Sequence, residues 1–260
     1  MIRTLFIGAA LAASAGAQAA PFPCREQALF DASAVRERVI LVGELHGTSE
    51  MPAFASGLAC GFLQKGRQVV LAMEVARDAQ PEIERYLASD GGEPARQLLY
   101  ASSFGRPKDG RGSLAYMGMI EQVRLLRQAG APVSVAGADL AGGHGAATRD
   151  SAMAGHIAAL ARANPAAVVI SLSGNLHAAK TKGGEAGAHY EPLGYLLSRQ
   201  MPTHAIALAH DGGTVWACMP QCDTYDIGPW ARGARPRGYD RVVKVGRLTA
   251  SPPMRPAAAP

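Results

Sequence analysis

"RVILVGELHG", residues 38–47, decides how the chain is read. Val39, Ile40, Leu41 and Val42 make a short, unbroken apolar run, the signature of a strand buried on both faces. Gly43 ends the run, and Glu44 and His46 follow at once. Acids are rarely buried without partners. A hydrophobic strand that meets a carboxylate and an imidazole is therefore either turning into a polar loop or delivering a reactive site. Residues two apart in extended backbone point to one side, so Glu44 and His46 share a side. Further out, Thr48 or Ser49 can cap the next helix, with Pro52 in its first turn. Glu50 falls where the helix dipole favours an anion and is read as helix electrostatics, outside the site.

The same pattern continues along the chain. Strand-like runs occupy residues 67–75, 132–140, 166–180 and 203–213, with shorter ones at 214–218 and 240–248. Helix-like segments lie between them at 51–66, 79–89, 113–130, 149–165 and 191–202. Strands alternating with helices predict an α/β fold, a mainly parallel central sheet with helices on both faces. Sites in such sheets form at the carboxyl ends of strands. The residues there are Glu44 and His46, then Glu74, Asp139, His177, and His210 with Asp211. A carboxylate closing the apolar run "VVLAME" is costly unless it is paired, which marks Glu74. Asp139 precedes a glycine-rich loop and also suits an Asx turn.

"VVISLSGNLH", residues 168–177, mirrors the opening stretch. Each is an apolar strand followed by G-x-x-H, ending at His46 in one and His177 in the other. The repetition points to an internal duplication in which two histidines from equivalent strand ends meet. Residues 101–112, "ASSFGRPKDGRG", form a basic, glycine-rich loop. Arg106, Lys108 and Arg111 on it could cover an anionic substrate.

Residues 1–20 have an early cation, an apolar run and small residues ending near Ala19 or Ala20, the layout of a cleavable export signal. The expected location is therefore periplasmic or secreted. A main domain over 21–228 and a basic extension over 229–260 follow, with the last ten residues expected to be disordered. The extension holds seven of the 26 Lys and Arg residues against one acid, Asp240. The net charge of +5 thus belongs largely to the tail. Nucleic-acid binding needs a basic stripe on the fold itself and is not expected. No run in the mature chain is long and apolar enough to cross a bilayer, so it is not read as an integral membrane protein. Four cysteines suit an oxidising compartment. Cys218 and Cys222 are near enough to close a small loop, which leaves Cys24 with Cys60; free buried thiols are the alternative. No G-x-S-x-G, H-E-x-x-H, P-loop or strand-following G-x-G-x-x-G is present.

Taken together, "VGELHGTSE" (42–50), "AMEV" (72–75), "RDSAMA" (149–154) and "SGNLHAAK" (173–180) resemble the superfamily that includes Tiki and TraB proteins, erythromycin esterases and ChaN-type haem-binding proteins. Compact length and the R-D-x-x-M-A helix look nearest to the ChaN type. The resemblance covers roughly residues 38–200 and implies a cleft lined by Glu44, His46, Glu74 and His177.

Two functions follow as expectations. One is an ester or amide hydrolase in which His46 is the general base, oriented by Glu44 or Glu74. His177, with a cation such as Arg149 or Lys180, would stabilise the oxyanion. In a metal version, His46, Glu74 and His177 would hold a divalent ion. The other is a ChaN-like haem-binding protein of iron uptake, with Tyr100, Tyr116 or a loop histidine as axial ligand. The partner is accordingly a small-molecule or peptide substrate, or haem.

Overall fold

The computed structural model describes residues 22–24, 29–142, 144–183, 187–230 and 236–254. The expected export signal lies outside them. In chain order the elements are β1 (Val39–Glu44), α1 (Glu50–Gln64), β2 (Gln68–Ala76), α2 (Gln80–Leu87), α3 (Glu93–Ala101), α4 (Leu114–Gln128), β3 (Val133–Asp139), α5 (Ala146–Ala163) and β4 (Ala167–Gly174). They continue with α6 (Asn175–Ala178), α7 (Leu193–Ser198), β5 (Thr203–Ala209), β6 (Gly213–Cys218), β7 (Cys222–Ile227) and β8 (Arg241–Lys244).

Six strands form one parallel sheet in the order β3-β2-β4-β1-β5-β8. Strand side chains alternate between its faces. Ile40, Val42, Leu71, Met73, Ile170 and Leu172 join one core with residues of α1, α2 and α4. Val39, Leu41, Val70, Ala72 and Val169 join another with α5 and α7. Both faces are thus covered, and each fully buried aliphatic side chain contributes about 1.5–3 kcal/mol. This two-sided burial is why the strands read as continuous apolar runs rather than as alternation.

The strand order has a symmetry. Exchanging β1 with β4, β2 with β5 and β3 with β8 gives the same order read from the other edge. The two G-x-x-H strands, β1 and β4, lie side by side at its centre, with Glu44 opposite Gly174. An internal duplication would leave this arrangement.

Several elements depart from the sequence expectation. α3 falls where no helix was expected, and β7 is a polar, exposed strand that pairs antiparallel with β6 in a separate hairpin. Ser49 makes no side-chain cap at α1, although Glu50 does lie in its first turn. Thr48 instead donates its hydroxyl to Leu45 O, and Glu50 accepts from Thr249 N.

The C-terminal segment is not a detached extension over its described part. β8 pairs with β5, and Val243 and Leu248 enter the core. Ser251 is buried and donates its amide to Gly47 O at 2.8 Å. The disorder expected from residue 251 is therefore absent through Met254, because apolar side chains and paired backbone fix the chain there; residues 255–260 lie outside the description. Disulfides join Cys24 to Cys60 and Cys218 to Cys222, the pairing expected from spacing. No helix among the described residues is long and apolar enough to cross a membrane.

Candidate active site

The carboxyl ends of β1, β2 and β3, the turn after β1 and the short helix α6 after β4 bring together Glu44, His46, Glu74, Asp139 and His177. Glu74 is the centre. It is buried, and its Oε1 accepts from Arg149 Nη2 at 2.6 Å and Arg111 Nη1 at 3.0 Å. Its Oε2 accepts from the amide of Gly174 at 2.8 Å. Each imidazole approaches one of its oxygens: His46 Nε2 is 3.5 Å from Oε2 and His177 Nε2 is 3.7 Å from Oε1. A β-carbon at Gly174 would stand 3.0 Å from His46 Nε2 and 3.4 Å from His177 Cδ2. Glycine there keeps the space between the rings open.

Each imidazole is backed by a buried carboxylate. His46 Nδ1 bonds Glu44 Oε1 at 2.8 Å, and His177 Nδ1 bonds Asp150 Oδ1 at 2.7 Å. Each carboxylate is held in turn by a tyrosine hydroxyl. Tyr116 donates to Glu44, and Tyr190 donates to Asp150 at 2.5 Å. Such a hydrogen bond at Nδ1 fixes the ring orientation and aims Nε2 at the centre. The site is thus two Tyr–carboxylate–His chains converging on one glutamate.

Charge follows from this geometry. Burial opposes a proton on His46, but Glu74 and Glu44 outweigh it and push its pKa up to about 10. Burial would raise Glu74, yet His46, His177 and Arg111 hold it well below the ordinary carboxylate range. Burial also opposes a charged His177. The Asp150 hydrogen bond and the Glu74 charge raise it above its ordinary value, while Arg149 works against them. Burial, with Glu44 beside it, keeps the Tyr116 phenol protonated far past its ordinary range. His46 thus carries its proton between Glu44 and Glu74 in the resting site.

Other expected residues divide. Arg149 and Arg111 are at the site but are bound to Glu74 and Asp139. Asp139 accepts the amide of Leu140, one residue on rather than the two of an Asx turn, and its main partners are these guanidiniums. Lys180 turns away to Asp240 and Thr203 O, so the oxyanion role suggested for it fails on placement. His210 and Asp211 also stay apart: His210 accepts from Gly212 N, and Asp211 pairs with Lys244. Beside Glu74 opens a cleft of about 400 Å³, lined by Arg106, Arg111, Asp139, His144 and Arg149 among others. Arg106 is exposed on its wall. Lys108 is exposed and does not line it.

Sequence reasoning missed Asp150 and Tyr190, and named Tyr116 only as a haem ligand rather than as a partner of Glu44. Asp150 had a signal, since it stands next to Arg149 in the quoted "RDSAMA". Tyr190 sits in a loop with no motif.

A divalent ion on His46, Glu74 and His177 does not fit this donor set. Glu74 already carries two guanidiniums, and these charges would repel a divalent cation at close range. Among the described residues no group of three or more His, Cys, Asp or Glu is arranged to hold a metal. Tyr116 does not fit the axial role suggested for it, since it is buried and committed to Glu44; of the loop histidines, His144 lines the cleft, beside Leu140 and Ala141.

Fold and site together define an α/β protein with a carboxylate–histidine centre at the carboxyl ends of parallel strands. No protein-family model matches the chain, and no curated protein matches it by sequence. Its fold is that of an erythromycin esterase, EreC, seen in an open conformation: TM-score 0.58, 15% identity, 76% of this chain and 78% of the other. A Bacillus cereus protein matches with TM-score 0.57 at 10% identity over 84% and 90% of the two chains. ChaN of Campylobacter jejuni, whose haem binding is cofacial, matches at TM-score 0.40 and 12% identity over 75% and 90%, too loosely to bear on function.

Proposed function

We propose that the chain is an exported hydrolase of the ester or amide type, acting on a small-molecule or peptide substrate without a metal. One observation carries this reading: two carboxylate-backed imidazoles face one buried glutamate. His46 holds its proton up to about 10, and His177 is raised less because Arg149 offsets Glu74. Unequal pKa values assign acid and base. His177 Nε2 takes a proton from water, with Asp150 steadying the imidazolium that forms. The water oxygen adds to the substrate carbonyl. The His46 imidazolium stabilises the resulting oxyanion and then protonates the leaving oxygen or nitrogen. His177 then gives up its proton to solvent and His46 takes one back, which restores the resting state, while the Glu74 carboxylate stays ionised and fixes both rings. Arg106 on the cleft wall is the cation available to an anionic group of the substrate. Two disulfides support export to an oxidising compartment, periplasmic or secreted.

The test is hydrolysis of a panel of chromogenic esters and anilides from pH 5 to 11. A bell-shaped rate profile with its basic limb near 10, lost in His46→Gln, supports the assignment. No hydrolysis above background at any pH sinks it. A Soret change on haem titration that survives the double variant His46→Ala, His177→Ala would move the reading to haem carriage.

A further inference from the structure

The strap of residues 105–112 carries Asp109 and Arg111 over the site. Arg111 Nη2 bonds Asp109 Oδ2 at 2.7 Å, and its Nη1 reaches Glu74 and Asp139. The strap is pressed against the turn that follows His46. A β-carbon at Gly110 would lie 2.2 Å from Gly47 N, and one at Gly47, where φ is +76°, would lie 2.0 Å from Trp216 O. Strap, histidine turn and hairpin therefore meet at three backbones with no room for a side chain. Trp216, on β6, bonds both of the other parts: its amide donates to Gly47 O at 2.9 Å, and its indole Nε1 donates to Lys108 O at 2.8 Å. The Cys218–Cys222 disulfide closes the hairpin two residues further on.

We infer that Trp216 is a positioning residue of the site: it ties the strap to the turn after His46 and so keeps Arg111 seated on Glu74. The catalytic groups it acts through are Glu74 and His46. This rests on the reading that they form the working centre, but the readouts below need no substrate, so either idea can fail alone. With the strap loosened, Arg111 and the Asp109 carboxylate that also faces His46 leave together, and water screens the Glu74–His46 pair, so the imidazole moves back toward its ordinary value.

Three variants test it by amide exchange and by NMR titration of the His46 ring. Trp216→Ala removes the indole and leaves the backbone bond to Gly47. Trp216→Phe keeps a ring and loses only the Nε1 donor. Gly110→Ala wedges the strap from its other side. Exchange at residues 108–112 should rise about tenfold in Trp216→Ala and less in Trp216→Phe, the scale of losing one net hydrogen bond and its packing. The His46 midpoint should fall from about 10 toward 6.5 in Trp216→Ala and Gly110→Ala. Amides of Val168–Ile170 in β4 serve as the folding control; if they also speed up in Trp216→Ala, the Gly110→Ala and Trp216→Phe results decide. Faster strap exchange with an unmoved His46 would make Trp216 merely structural and overturn the inference. So would unchanged strap exchange, or a His46 shift confined to Gly110→Ala.

Discussion

The two halves of the site share one plan and differ in charge. On the β1 side, Glu44 comes from the same strand end as His46, two residues before it. On the β4 side, Asp150 comes from helix α5, 27 residues before His177. Both rings meet the same Glu74. His46 has two carboxylates near it and is pushed to about 10, whereas His177 also feels Arg149 and rises less. In the proposed mechanism the guanidinium that opposes a proton on His177 divides two similar dyads into an acid and a base. Motif symmetry gives the parts, and the proposal takes the roles from the asymmetric cations.

The most damaging way to break the comparison is Glu74→Gln. It removes the anion that both rings and both arginines answer. Breaking a buried, paired charge costs about 3–5 kcal/mol, readable as a lower denaturation midpoint. The His46 titration midpoint should fall well below 10 in the same protein; a midpoint that stays put would mean Glu74 is not what holds the proton.

Next come the rings themselves. Losing a general acid or base lowers rate about 10²–10⁴-fold, so His46→Gln and His177→Gln should both be nearly inactive. Their residual pH profiles should differ. The acid limb disappears without His177, and the basic limb disappears without His46. Identical residual profiles would erase the proposed division of labour.

Stability against pH sharpens the same point. His46 has a folded pKa above its ordinary 6.5, so its contribution is complete below about 6.5 and is lost as pH rises through about 10. Glu74 is depressed, so its contribution is present above its ordinary 4.5 and is lost as pH falls through its folded value. Urea midpoints should be highest between these limits. A midpoint still rising from pH 7 to 10 would contradict the charged resting His46.

The smallest effects fall on the supporting phenols. Tyr116 is fully buried against Glu44, so Tyr116→Phe should cost about 1.5–3 kcal/mol, the range for a hydrogen bond to a charged group. Tyr190 is only part-buried, and Tyr190→Phe should cost about 1 kcal/mol. Equal losses in denaturant unfolding would show that burial does not distinguish the two dyads.

Legibility in the sequence followed sequence distance. Glu44 and His46 could be paired on paper because extended backbone puts them on one side. Glu74 and His177 were visible because an ionisable residue closing an apolar strand is expensive without partners. Asp150 was overlooked although its neighbour was chosen, since one acid in a helical first turn has an ordinary explanation. Trp216 read as a residue of a short β segment, and its hold on Gly47 and Lys108 spans more than a hundred residues.

Apolar runs at strand length, alternating with amphipathic segments, determined the parallel α/β sheet and placed ionisable groups at its carboxyl edge. Hydrophobic burial is periodic along the chain, so a sequence can carry it. Only the tertiary structure decided which of those groups meet, that Lys180, His210 and Asp211 do not, and that Arg111 and Arg149 occupy the glutamate a metal would need. Those outcomes depend on distances of 3–4 Å between segments remote in sequence, where a shift of one strand position changes the partner and with it the proton.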